Sequence, residues 1–102
     1  MKQKFLVVYE HGKRNYGGFA PDIPGCISTA KTLTEIRRLM REALEGHLEF
    51  MAADSDSMPS PVTTNFDLST VYDPNGDVDH YVLEFMEINV PVSKRRREAM
   101  TA

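Results

Sequence analysis

Apolar and polar side chains alternate near the start of the chain in a way that fills both sides of an extended strand. Across residues 4–10, Phe5, Val7 and Tyr9 point one way and Leu6, Val8 and Glu10 the other, and the run is rich in β-branched and aromatic residues. This predicts a first strand. Residues 11–15, HGKRN, carry Gly and Asn at a turn, and residues 16–19 follow as the return arm of a hairpin. Pro21 and Pro24 lack the N–H that a ladder needs and push Ala20 and Ile23 into extended geometry, so the second strand ends before them. Pro24-Gly25 suits the two central positions of a type II turn, and a third strand at residues 26–30 leaves it.

The period then changes. Thr32-Leu33-Thr34-Glu35 has the form of a capping box, in which a Thr N-cap and a Glu three residues on satisfy two orphan backbone donors. A helix is predicted from residue 33 to about residue 53. At about 100° per residue, Leu33, Ile36, Leu39, Met40, Ala43, Leu44, Phe50 and Met51 gather on one side. Glu35, Arg38, Arg41, Glu42, Glu45 and Glu49 lie opposite, with Arg38–Glu42 and Arg41–Glu45 at the four-residue spacing of surface ion pairs. His47 falls within the apolar arc, which predicts a hydrogen-bonded histidine in the core or at a subunit interface.

Residues 54–65 are polar and proline-bearing and read as a loop. Residues 66–72, FDLSTVY, fit either a short helix or a strand, and DPNGD is a turn signal. Residues 80–92 form the longest strand candidate, with Tyr81, Leu83 and Phe85 on one face and Val82, Met86, Ile88 and Val90 on the other. Apolar residues on both faces predict an interior strand, or one face shared with another subunit, and hence a dimer or higher homo-oligomer. The elements add up to an α+β fold: a three-stranded antiparallel meander plus a later strand, with one long helix packed on one sheet face. The crossover through the helix also permits the last strand to lie parallel to the first.

Composition narrows the function. A chain of 102 residues with 41% hydrophobic and 26% charged residues reads as one soluble domain. No apolar run is long enough to span a bilayer, and the start MKQKFLVVYEHG lacks a cleavable leader, so a cytoplasmic protein without membrane contact is expected. The single Cys excludes an internal disulfide, and with three scattered histidines it makes no zinc pattern, so neither metal nor cofactor is expected. Residues 1–93 hold 8 basic and 14 acidic groups, a net of −6, while Lys94, Arg95, Arg96 and Arg97 form a basic tail. The acidic body repels nucleic acid and attracts a basic partner.

Residues 17–26, GGFAPDIPGC, are the densest cluster of special residues. A phosphate cradle joins a strand to a helix N-terminus, whereas these glycines run into prolines and another strand. Cys26 has no basic partner at a recognisable spacing that would make it a nucleophile. The stretch reads as a rigid double turn with the Asp22 carboxylate accepting local backbone N–H groups. Two-metal hydrolysis would need several converging acids, and the centre of the first strand is Leu6-Val7-Val8 with Glu10 only at its end, which argues against an enzyme.

Asn15-Tyr16, Phe19, Pro21-Asp22-Ile23-Pro24-Gly25-Cys26, Thr32-Leu33-Thr34-Glu35, Ala43-Leu44 with His47-Leu48-Glu49, and Met58-Pro59-Ser60-Pro61 resemble, in order and spacing, the HicB antitoxin family. The resemblance covers about residues 5–61 and implies a partial, degenerate RNase H-like fold without nuclease chemistry. It further implies a type II toxin–antitoxin role, in which the chain binds and occludes a small basic mRNA-cleaving HicA toxin. On that basis Asp22, Pro24, Gly25 and Cys26 are expected to shape the docking body, with Glu42, Glu45 and Glu49 as electrostatic contacts. Many family members also carry a C-terminal helix-turn-helix or ribbon-helix-helix segment that represses their own operon. Here only SKRRREAMTA follows the last strand, so the expected organisation is a domain at 1–93 and a basic tail at 94–102, with no separate DNA-binding domain. DNA binding through this chain alone is accordingly not expected. A stand-alone HicB-like binding domain without a cognate toxin, and a DNA-binding autorepressor, are the alternative readings.

Overall fold

β1, Lys2–His11, forms the spine of a four-stranded sheet in the computed structural model, which describes residues 1–54, 57–70 and 73–92. β2 is Tyr16–Phe19, β3 is Ile27–Ala30 and β4 is His80–Asn89. The order is β3-β2-β1-β4, and every neighbouring pair is antiparallel. The first hairpin closes through the Gly12 N–H donating to the Asn15 carbonyl at 3.0 Å. Gly25, at φ 90°, supplies the left-handed backbone that the turn before β3 needs.

α1, Leu33–Ala53, starts with one of the two bonds its capping box predicts, the Glu35 N–H donating to Thr32 Oγ1 at 3.1 Å. It packs on the sheet face that carries Phe5, Val7 and Tyr9, together with Met86 and Ile88 of β4. Gly18 sits directly under the helix: a Cβ there would stand 2.8 Å from Met40 Cγ, so the position has no room for a side chain.

The structure alters or narrows several expectations. Ile36, Met40, Leu44, Leu48 and Ala52 are the buried helix residues, a stripe repeating every four positions. Each step advances about 40° around the axis, so the buried direction turns along the helix and leaves Phe50 exposed and His47 only half-buried. His47 is thus not a core residue. Of the two directions open to it, β4 takes the antiparallel one beside β1. It is an edge strand and not an interior one, and its apolar residues on both faces need another explanation. Of residues 66–72, Leu68–Thr70 make a single 3-10 turn. The basic tail at 94–102 lies outside the described residues.

The β4 edge is fastened to the helix. Met1 and Val90 exchange backbone hydrogen bonds, so by antiparallel alternation Glu87 and Asn89 aim their backbone groups away from β1. There the Asn89 N–H donates to Glu45 Oε2 at 2.7 Å, and the Arg41 guanidinium donates to the Glu87 carbonyl. The expected Arg41–Glu45 ion pair is replaced by these two contacts, whereas Arg38–Glu42 forms at 2.9 Å.

Candidate functional site

The face of the sheet away from α1 is apolar at positions where a wet face would be polar. Register places Ile27, Phe19, Val8 and Leu83 in one row across all four strands, with Leu6 and Phe85 in the next. Leu6 and Val8 at the centre are buried, but the margin is not: Ile27 is 77% exposed, Phe85 52% and Leu83 39%. The loop after α1 reaches this face through Phe66, whose ring meets Phe19 edge-on at 5.3 Å. Val62 and Leu68 on the same loop are also exposed. On the same face, the Glu10–Tyr81 and Lys4–Glu87 pairs flank these two rows with polar groups.

Asp22 has a structural tie of its own. It accepts from the Thr63 N–H at 2.8 Å and from the Thr63 hydroxyl at 2.6 Å, a partner 41 residues away instead of the local N–H groups expected. The carboxylate fixes the 62–66 loop to the double turn and so sets how much of the open face that loop covers. Pro24 and Gly25 are exposed at the head of β3. Cys26 is buried, its thiol donating to the Ala43 carbonyl at 3.6 Å, and burial pushes the thiol pKa up. It can contribute shape but no surface.

The helix acids are divided in the same way. Glu42 is exposed and paired with Arg38, Glu45 is engaged with β4, and Glu49 is exposed. The proposed residues therefore fall in two places, the turn beside the open face and the outer side of α1. Sequence reasoning did not single out Ile27, Leu83 and Phe85 as a shared surface. The signal was present as alternation on the wrong side of β4, but only the β3-β2-β1-β4 order brings Ile27 into the same row.

Two polar clusters span the structure. Buried Tyr9 donates its hydroxyl to Glu84 Oε1 at 2.6 Å, and Glu84 pairs with Arg37 of α1 at 3.0 Å. Burial, reinforced by the Glu84 carboxylate, pushes the Tyr9 phenol well above its ordinary pKa of 10.0. At the far rim, His11 and His80 face each other across β1 and β4, ring centroids 4.7 Å apart, with Asp79 at 2.7 Å from both. The hydrogen bond from His11, with that from His80, holds the Asp79 carboxyl below its ordinary pKa. Among the described residues, His11, Asp79 and His80 make the group of three side chains close enough to share an ion.

The comparisons with known proteins bear on the whole chain. A family model described as the HicB_like antitoxin of bacterial toxin-antitoxin system matches residues 5–100. The chain belongs to this antitoxin family. The match extends the HicB-like resemblance well beyond residue 61 and takes in β4. A chain from a solved HicA3 and HicB3 toxin-antitoxin complex superimposes with a TM-score of 0.59 at 23% identity, covering 85% of this chain and 99% of that one, which shows a shared fold. A Thermotoga maritima protein named UPF0150 protein is 39% identical over 44 residues, 43% of this chain and 59% of the relative. A Haemophilus phage HP1 protein, described as an uncharacterized 14.9 kDa protein in the rep-hol intergenic region, is 41% identical over 39 residues, 38% of this chain and 29% of the relative. The HicB-like chain thus spans less than two thirds of the curated relatives it matches. No helix among its described residues is long and apolar enough to cross a membrane.

Proposed function

We propose that this HicB-like chain is the antitoxin of a toxin–antitoxin pair and neutralises a small basic RNA-cleaving toxin by direct binding and occlusion, without catalysis of its own. Membership of the antitoxin family over residues 5–100 is the observation that carries the reading. Charge supports it: residues 1–93 bear a net −6, which favours encounter with a cationic partner. The open sheet face is the surface best suited to the contact. Ile27, Leu83 and Phe85 supply exposed apolar anchors, Pro24 and Gly25 a rigid shoulder, and Glu10 and Glu87 acidic neighbours. Asp22 acts on this surface by fixing the loop beside it, and Glu42, Glu45 and Glu49 act at a distance through the field of α1.

Co-expression with the small basic protein encoded beside it tests the reading. The wild-type chain is expected to restore growth and to co-purify with that protein, and Phe85→Glu to abolish both. Growth arrest unrelieved by the wild-type chain would refute the antitoxin role. Apolar margins also suit a second copy of the chain, so sedimentation of the same variant separates the two occupants. Loss of self-association with toxin binding intact assigns the face to a homo-oligomer and moves toxin docking to the helix side.

A further inference from the structure

We infer that His11, Asp79 and His80 form a binding site for one divalent transition-metal ion of the zinc type, closing the rim where β1 and β4 meet. The three ligands come from opposite ends of the sequence, His11 and Asp79 being 68 residues apart, and no short-range spacing announces them. Antiparallel register makes His11 and His80 direct cross-strand partners. Nδ1 of each ring lies 2.7 Å from the same Asp79 Oδ1, and the potential ligand atoms of the three residues fall within 4.8 Å of one another. An ion with bonds of about 2.0–2.1 Å in tetrahedral array holds its ligand atoms about 3.3 Å apart, so each nitrogen–oxygen pair opens by about 0.6 Å and a pair at the 4.8 Å limit closes by about 1.5 Å.

The surrounding backbone already holds the ligands in place. The Asp79 N–H donates to the His11 carbonyl at 2.9 Å, which locks the carboxylate against the first ring. Asp73 accepts from the Asp77 and Val78 N–H groups at 3.0 and 3.1 Å, ordering the turn that delivers Asp79 and His80. Tyr16 tilts over His11 with ring centroids 4.5 Å apart and walls one side of the cluster. The two imidazoles are stacked at 26°, so binding requires them to tilt further toward a common point, a soft rotation for partly exposed rings. Their side chains leave an entry path: Asp79 is 61% and His80 50% exposed, which also admits water as a fourth ligand. Two imidazole nitrogens and one carboxylate select zinc, cobalt, nickel or copper over magnesium and calcium.

The test uses the untagged full-length chain and the metal ions alone, and reads binding directly, independently of any toxin. Calorimetric titration with zinc is expected to give one saturable site per chain, and cobalt to develop the visible absorption of a site with nitrogen ligands. His80→Gln and Asp79→Asn, both at exposed positions that the fold tolerates, are expected to weaken zinc by about tenfold or more each, since even the loss of an outer-shell partner costs that much. Zinc should raise the thermal midpoint of the wild-type chain but not of His80→Gln. His47→Gln should bind as the wild type does. Absence of saturable binding, or affinity unchanged in both His80→Gln and Asp79→Asn, overturns the assignment.

Discussion

On the helix side of the sheet, Phe5, Val7 and Tyr9 disappear completely beneath α1, and Met86 and Ile88 of β4 are buried beside them. On the other side the same strands bury Leu6 and Val8 at the centre and leave Ile27, Leu83 and Phe85 bare at the margin. An antiparallel sheet with one dry and one wet face carries polar residues on the wet one. This sheet keeps apolar residues on both, so its two faces answer to different demands. One is satisfied by the chain's own helix, and the other keeps exposed apolar anchors that suit the docking proposed above.

That contrast makes the largest expected effect a helix-side one. Leu44→Ala, which empties part of a fully buried contact, should lower the unfolding free energy by about 2–5 kcal/mol in denaturant titration. Phe85→Ala on the exposed margin should cost less than about 1 kcal/mol in the same measurement. Equal losses would break the comparison. Next in size, Phe85→Glu should weaken the proposed toxin complex by about 2 kcal/mol or more in calorimetry while leaving folding nearly unchanged, as an interface anchor would.

Tyr9→Phe sharpens the helix side further. Removing a buried hydroxyl that bonds Glu84 should cost about 1–2 kcal/mol near neutral pH. The phenol is raised in the folded state, so its contribution is complete below the ordinary value of 10.0 and is lost as pH climbs above it toward the folded value. Wild-type stability should therefore fall on the alkaline side of about pH 10, and the variant should lose most of that slope. The smallest effect is expected at Glu42→Gln, where an exposed four-residue ion pair with Arg38 contributes about 0.2–0.5 kcal/mol and less in high salt.

Much of this architecture was readable because it is written locally. The Thr32 N-cap, the left-handed Gly25 and the first hairpin depend on residues within a few positions of one another, and all three appear where they were predicted. The helix length was equally plain, but its buried stripe was not. A straight apolar arc overlooks the turning of a four-residue repeat, and so placed Phe50 in the core while omitting Leu48 and Ala52. The remaining differences are long-range. Nothing near Asp22 names Thr63, nothing near His11 names His80, and the edge position of β4 follows from the pairing order of the whole sheet. The docking residues chosen from sequence shared this weakness: Cys26 looked like surface until β3 was laid against the helix.

β4 offers the outer border of the sheet, where a foreign extended chain would seek to add itself. At one end of that border the Glu87 carbonyl and the Asn89 amide are already taken by Arg41 and Glu45. A newcomer would have to strip both side chains from the strand before it could zip along its full length. The helix is therefore a stopper as well as a lid, and molecule-upon-molecule growth into a continuous ribbon is checked at the point where the protein is otherwise most open to it.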